Sequence, residues 1–265
     1  MNSLTLKTTR ADTPLDSRRA LGAYLAETRY ELMRGLRNPA FALPMTLIPG
    51  ALYLLFAVVI AGEAVDKDPT LGAFLFGGFA VMAVTMPALF GIATSLALER
   101  DMGLMRLKRA QPAPAGSWLV AKIASGFVFT LLAFLPMLAI AVLTGKLPLA
   151  PPQIVAMSAA LLAGSIPFAA LGLMVGTLVN GSAAPGYANL IYLPGCYLSG
   201  MFFPLPKSMF WQVPIWPQFH LNQLAMHAAG VTKYQFEPVA IAAATLAGFT
   251  VMFSAVAIWR LARKG

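Results

Sequence analysis

The sequence predicts an all-α, multi-pass membrane protein with six transmembrane helices, an N-terminal interfacial helix, and short re-entrant or capping helices between spans five and six. Three observations predict this class. The 265 residues are 58% hydrophobic and only 11% charged, whereas soluble domains carry roughly 25% charged residues. The apolar residues form blocks long enough to cross a bilayer. The 60 residues from Leu147 to Pro206 contain no Asp, Glu, Lys or Arg.

The N-terminal part is polar and charged. Residues 1–17 are predicted to form a cytoplasmic tail, and residues 18–38 an amphipathic helix. One face of this helix would carry Leu21, Tyr24, Leu25, Thr28, Leu32 and Leu36, and the other faces would carry Glu27, Glu31, Arg34 and Arg37. Such a helix lies in the membrane interface with its cations near lipid phosphates. The alternative is a soluble helix that packs on a partner.

The remaining chain, 39–265, is predicted to form one transmembrane domain. A helix rises about 1.5 Å per residue, so about 20 residues cross the hydrocarbon core. Between the fifth and sixth apolar blocks, residues 204–237 contain four prolines, and Phe210, Trp211 and Trp216 are among their aromatic residues. This segment is too apolar for a hydrated loop, and we expect it to cap or enter the outer leaflet. The predicted spans are about 40–62, 71–98, 119–144, 154–178, 187–203 and 238–259.

The distribution of cations predicts the orientation. With six spans and both termini on one side, fifteen of the 19 Lys and Arg residues lie on that side and four on the other. The positive-inside rule then places both termini in the cytoplasm of a bacterial inner membrane. The net charge of +9 is therefore interpreted as a topology signal, and nucleic-acid binding is the weaker interpretation.

The sequence lacks several chemistries. No predicted span carries Asp, Glu, Lys, Arg or His in its central part, which is where ion-coupled carriers usually place such a residue. No phosphate-binding G-x-x-x-x-G-K-[ST] loop is present, so the chain itself is not expected to be an ATP-hydrolysing enzyme. His220 and His227 are expected to be structural, and no metal site is predicted. The acidic residues Glu63, Asp66 and Asp68 are interpreted as a solvated loop, with a cation site as the less favoured alternative.

The segment 99–118 carries a recognisable pattern. It contains the Glu99–Arg100 pair, Gly103, a basic leucine-bearing turn and two prolines, and Lys122 follows at the entrance to the next span. This pattern resembles that of ABC-2 type transporter permeases, except that Ala121 stands where the family often has Gly. Other parts that resemble the family are Arg-Asn-Pro at 37–39, LSGMFFPL at 198–205 and P-x-W-P-x-x-H-L at 214–221.

The resemblance implies a permease dimer bound to separate ABC ATPase subunits, which would hold ATP and Mg, with no cofactor in this chain. The interfacial helix and segment 99–118 would dock on the ATPase. The residues expected to couple are Glu99, Arg100, Asp101, Gly103, Arg106 and Lys108, together with Glu27, Glu31, Arg34 and Arg37. Independently, 99–118 is the only long loop on the predicted cytoplasmic side, as coupling to a soluble motor requires. The alternative is an ordinary hydrated loop.

The resemblance also implies export of a drug, antibiotic, lipid or glycan precursor, with spans two and five facing the dimer axis. A mostly apolar and aromatic lining would suit a hydrophobic or amphipathic substrate. An ion-coupled carrier and a non-catalytic scaffold are the alternatives, with an intramembrane enzyme less favoured. The candidate path residues are Thr85, Phe90, Thr94, Asn189, Tyr192 and Tyr197. Helix packing is the alternative role for each of them, because such side chains also bond between helices.

Overall fold

A computed structural model of the protein describes residues 17–110, 113–114, 116–203 and 205–264. Most of the predicted tail, and Pro204 of the outer segment, lie outside these ranges. Every regular element within them is helical. The α-helices are α1 Ser17–Leu36, α2 Pro39–Tyr53, α3 Gly62–Lys67, α4 Pro69–Asp101, α5 Leu104–Ala110, α6 Ser117–Leu143, α7 Pro151–Ala163, α8 Ser165–Leu178, α9 Ala184–Leu198, α10 Pro217–Ala228 and α11 Val239–Lys264.

Five helical segments among the described residues are long and apolar enough to cross a membrane. The first joins α2 to a π-helical stretch, Leu54–Ile60, and the fourth joins α7 to α8. They coincide with five of the six predicted spans. The predicted fifth span corresponds to α9, whose 15 residues extend only about 22 Å. The five segments are Pro39–Ile60, Pro69–Asp101, Ser117–Leu143, Pro151–Leu178 and Val239–Arg263.

Helix α4 is the centre of the bundle. In an apolar stretch of 18 residues within α4, 94% of the stretch is buried inside the protein. Helices α2, α6, α8, α9 and α10 all contact α4. Helix α8 approaches closely because Gly172 and Gly176, four residues apart, face α4. A methyl group on Gly172 would lie 2.6 Å from the Leu89 carbonyl oxygen, and one on Gly176 would lie 2.9 Å from that of Ala93. This spacing of small residues is typical of helices that associate within membranes.

Helix α9 and its flanking residues follow α4 along most of its length. Gly181, before α9, lies against Leu98 near the C-terminal end of α4. Beyond α9, the Met201 carbonyl lies against Gly78. Gly78 and Leu98 are 20 positions apart in the sequence, which corresponds to about 30 Å along a helix. The segment 181–201 therefore extends beside α4 over a distance comparable to the hydrocarbon core of a bilayer.

The described part of the outer segment contains α10 and two short 3₁₀ helices, Lys207–Ile215 and Thr232–Tyr234. Helix α10 packs against α7 and α11. Leu221 lies against Gly164 at the α7–α8 junction, and the amide of Gln153 at the start of α7 donates to the Ala229 carbonyl across 2.8 Å. The segment is thus packed against the bundle along the length of α7.

Candidate functional site

The candidate site begins where α4 ends. Glu99, Arg100 and Asp101 occupy the last turn of α4, which therefore extends into the segment predicted as a loop. Gly103 then adopts a left-handed conformation with φ of 71°, and its N–H donates to the Arg100 carbonyl across 3.0 Å. Glycine is the residue that most readily ends a helix in this conformation. The chain can therefore leave α4 and begin α5 directly after Gly103. This explains why a glycine follows the Glu99–Arg100 pair in the sequence pattern.

Six charged side chains from four helices meet beside this turn, and we call them the ionic cluster. It comprises Glu27, Glu31 and Arg34 of α1, Glu99 of α4, Lys108 of α5 and Lys122 of α6. Three carboxylates face three cations, so the formal charge of the cluster is zero. Five of its six members had been predicted as coupling or interfacial-helix residues, and the structure brings these five together.

Lys122 is at the centre of the ionic cluster. Its ammonium donates to Glu99 Oε1 across 2.7 Å and to Glu31 Oε1 across 2.9 Å. Arg34 donates to Glu99 Oε1 and, across 2.7 Å, to Glu31 Oε2. Glu99 and Lys122 side chains are each only 1% exposed. Charges this deeply buried are retained only when they are paired, so each carboxylate holds α1 against the ends of α4 and α6.

Lys108 attaches α5 to the same cluster. Its ammonium lies 2.7 Å from Glu27, 3.4 Å from Glu31 and 3.4 Å from Glu99 Oε2. Burial alone would lower the pKa of Lys108, but these three carboxylates outweigh burial and raise that pKa above its ordinary value. Lys108 is therefore held in its charged form, and α5 is fixed to both α1 and α4.

The two residues after Glu99 connect α4 to the α8–α9 junction. The guanidinium of Arg100 donates to the Gly176 carbonyl in the last turn of α8 across 2.8 Å. The Asp101 carboxylate accepts a hydrogen bond from the Gly181 N–H across 2.7 Å. Arg100 thus binds a helix C-terminus, where carbonyls lack partners and cations are favoured. The triplet Glu99–Arg100–Asp101 joins the ends of α1, α6 and α8 to one turn.

Other predicted coupling residues are exposed. Arg106 of α5, Arg37 after α1 and Gly103 all present their surfaces to the surroundings. The charged face of α1 points inward to the ionic cluster, whereas Leu21 and Leu25 are 61% and 62% exposed. This arrangement is the reverse of a helix on a soluble protein, where the apolar face would be buried.

The predicted path residues divide into three groups. Thr85, Phe90 and Tyr192 are buried between α4 and α9, where the two hydroxyls lie 2.9 Å apart and the Phe90 ring meets Tyr192 edge-on. In this conformation they pack the two helices together. Thr94 lines a cavity of about 220 Å³ between α1, α4 and α6. Asn189 and Tyr197 lie on the outward face of α9.

Both histidines make local hydrogen bonds. His220 contacts the Glu237 carboxylate across 2.6 Å and the Pro214 carbonyl across 2.9 Å. His227 contacts the Glu237 carbonyl across 2.7 Å. Of the acidic trio, Asp66 pairs with Lys146 and Asp68 with Lys233. In the described part of the chain, no three His, Cys, Asp or Glu residues are grouped to hold a metal ion.

Lys122 is the most buried cation of the cluster, yet it is not among the candidate site residues predicted from the sequence. A lysine six positions into a helix that is otherwise apolar is unusual, since an unpaired ammonium is costly at that depth. The position of Lys122 within this apolar segment was therefore the feature of the sequence that could have indicated its role. Its partners could not be read from the sequence, because Glu31 and Glu99 lie 91 and 23 positions away.

The helices define the class of this protein. The described residues form five apolar segments, one of which is the central helix α4, and many apolar side chains face outward. This is the architecture of a multi-pass membrane protein. The sequence profile of the ABC-2 type transporter family matches residues 23–236, and the chain therefore belongs to that family. It is 24% identical over 195 residues to a Bacillus subtilis (strain 168) protein named "Putative transport permease YvfS". The aligned residues are 72% of this chain and 79% of that protein.

Proposed function

We propose that this chain is the transmembrane permease subunit of an ATP-driven ABC transporter, and that α1 and α5 form the surface that docks on a separate ATPase subunit. The ionic cluster is the observation that carries the proposal. It fixes the two charged helices α1 and α5 to the ends of α4 and α6. A force applied to α1 or α5 by a motor protein would therefore reach the spans directly.

The proposed docking surface consists of exposed groups around the buried cluster. Arg106 and Arg37 are exposed on the same end of the bundle as Glu99, and they offer cations to an acidic surface of a partner. The buried members, chiefly Glu99 and Lys122, would act by holding α1 and α5 in position. This division assigns binding to the exposed cations and transmission of movement to the ionic cluster.

We further propose six crossings with both termini in the cytoplasm of a bacterial inner membrane. The sixth crossing would be the segment around α9, and its support is the close approach of 181–201 to α4 from Leu98 to Gly78. A second support lies at the far end of α4, where Lys233 pairs with Asp68 and α11 begins soon after. The cations then divide fifteen to four, as the positive-inside rule expects.

The proposed substrate is hydrophobic or amphipathic, such as a drug, an antibiotic, a lipid or a glycan precursor, and the proposed direction is export. Its path would form between two copies of the permease. The support is the outward face of α9, which presents Tyr187, Leu190 and Tyr197, each more than half exposed. In this arrangement a second copy would face Asn189 and Tyr197, while Thr85 and Tyr192 would hold α9 on α4.

The experiment is co-expression of the chain with a separate ABC ATPase subunit, followed by reconstitution in proteoliposomes. ATP hydrolysis should rise when the chain is present and should fall when Glu99 or Arg100 is reversed in charge. The Lys207→Glu variant, an equal charge change on the outer segment, is the control and should retain full stimulation. Transport driven by an ion gradient without any ATPase would instead identify an ion-coupled carrier.

A further inference from the structure

A lateral groove on the bundle belongs to none of the sites described above. It has a volume of about 470 Å³ and lies between α6 and α11, with α8 and Ala88 of α4 at its base. Val120 and Phe127 form one wall, Thr250 and Ser254 the other, and Ile166 and Ala170 part of the base. Helix α8 packs against α11 and α4, so the groove lies where α6 and α11 diverge above α8.

The chemistry of the groove is that of a hydrocarbon site. None of its lining residues is charged. Among its hydroxyl groups, that of Ser165 donates to the Leu162 carbonyl across 2.7 Å and that of Thr250 to the Leu246 carbonyl across 2.8 Å. Because each of these two hydroxyls already donates to a carbonyl of its own membrane-spanning segment, neither needs a hydrogen bond from a ligand.

The position of the groove determines what can reach it. All three surrounding helices belong to apolar membrane-spanning segments. Val120 is near the start of α6 and Leu173 is near the end of α8, so the groove lies in the half of the bundle next to the ionic cluster. From Ser165 to Leu173 it extends about 12 Å along α8. It therefore opens to the acyl chains of the leaflet on the Glu99 side.

The groove, of about 470 Å³, is suited to a slender occupant, and a helix from a second copy is the alternative that the labelling test below distinguishes. A single flexible hydrocarbon chain fits, and it would contact side chains on three sides. Such a chain gains many more dispersion contacts than one that meets a convex helix surface.

We propose that this groove is a binding site for one acyl chain of a phospholipid from the leaflet adjacent to the ionic cluster. The bound chain supplies the packing that α6 and α11 lack, and it joins the helix that carries Lys122 to the C-terminal helix. The site is independent of the ATPase surface, and its occupancy does not require the proposed transport function.

The test is photolabelling of the wild-type protein in phosphatidylethanolamine vesicles whose acyl chains carry a diazirine, followed by mass spectrometry of the labelled peptides. Labelling at Val120, Phe127 and Thr250 should exceed labelling at Leu135 and Val251 several-fold. Leu135 and Val251 lie on the same two helices and are 53% and 69% exposed outside the groove. Equal labelling at both sets of positions, or crosslinks to a second copy at the groove, would overturn the proposal.

Two matched variants then test whether the groove itself holds the chain. Ala124→Phe fills the groove, whereas Ala139→Phe places the same side chain on an exposed position of α6 outside it. Ala124→Phe should abolish the excess label at Phe127 and Thr250, and Ala139→Phe should retain it. If monodisperse Ala124→Phe protein is labelled like wild type, the proposal is wrong; if this variant does not fold, the wild-type pattern decides.

Discussion

The ammonium of Lys122 donates a 2.7 Å hydrogen bond to Glu99 Oε1, and both side chains are only 1% exposed. This ion pair joins the last turn of α4 to the second turn of α6. Glu31 of α1 accepts from the same ammonium. Because the central helix and its neighbour are fixed together at the point where α1 attaches, a displacement of α1 must move both helices or break the pair.

The first prediction concerns the loss of one partner. Glu99→Gln removes the buried negative charge that Lys122 and Arg34 both contact. Removal of one partner of a buried ion pair typically lowers the free energy of unfolding by roughly 3–5 kcal/mol. We expect a large fall in the thermal unfolding midpoint of the purified protein in detergent. Glu63→Gln, on an exposed part of α3, is the control and should leave the midpoint unchanged.

A double variant separates charge balance from a general effect of substitution. Glu99→Gln combined with Lys122→Met removes one charge of each sign, so Glu27 and Glu31 remain balanced by Arg34 and Lys108. Replacement of both members of a buried pair is often close to neutral. The double variant should therefore be more stable than Glu99→Gln alone. A double variant that is less stable than either single variant would show that the charge balance is not what matters.

The second prediction separates docking from transmission. Arg106→Glu changes an exposed side chain of α5, so it should weaken ATPase binding and ATP hydrolysis while the unfolding midpoint stays the same. Glu99→Gln should lower both hydrolysis and the midpoint, because it loosens the ionic cluster. The measurements are ATPase binding in a pull-down assay and differential scanning fluorimetry. Identical effects of the two substitutions on stability would contradict the assigned roles.

The third prediction concerns the α4–α9 contact. The hydroxyls of Thr85 and Tyr192 lie 2.9 Å apart in a fully buried site. Tyr192→Phe should destabilise the protein by about 1 kcal/mol. A double-mutant cycle with Thr85→Val should give a coupling energy of about 0.6 kcal/mol, the average for hydrogen bonds between membrane helices. Tyr197→Phe, on the exposed face of α9, should have no effect, and a zero coupling energy would exclude the bond.

The fourth prediction concerns pH at the other end of the bundle. A hydrogen bond from Lys233 across 2.5 Å, supported by Thr70, lowers the pKa of Asp68 to about 2. A depressed carboxyl pKa stabilises the folded state above the ordinary value of about 4, and this contribution is lost as the pH falls through about 2. The unfolding midpoint of wild type should fall between pH 5 and pH 2 more steeply than that of Asp68→Asn. Equal slopes would exclude the contribution of the pair.

Much of the fold could be predicted from the sequence because the bilayer imposes a simple rule. A segment such as Pro39–Ile60 or Ser117–Leu143 must be apolar over at least the thickness of the hydrocarbon core, so its limits are visible in composition alone. Helix α9 is different. Its 15 residues are too few for that rule, and its passage beside α4 depends on contacts of non-helical residues at both ends. Composition does not encode such contacts.

The sequence predicted most residues of the candidate site, but it did not predict how they contact one another. Charged residues of α1 and of segment 99–118 stood out because the rest of the chain is so apolar. The amphipathic pattern predicts that Arg34 lies among the cations near lipid phosphates, whereas the structure pairs it with Glu31 and Glu99. Helical periodicity shows that a face is polar, but it does not show whether that face meets lipid headgroups or another helix.

The most direct test of the central claim is site-specific photo-crosslinking from α5 to the ATPase in intact cells. A photoreactive amino acid at position 106 should form a covalent adduct with a co-expressed ABC ATPase, and one at position 207, in the 3₁₀ helix of the outer segment, should not. Such an adduct would place the motor on the surface that the ionic cluster supports. If no adduct forms from position 106, or if position 207 reacts equally, the chain does not engage an ATPase in the proposed way.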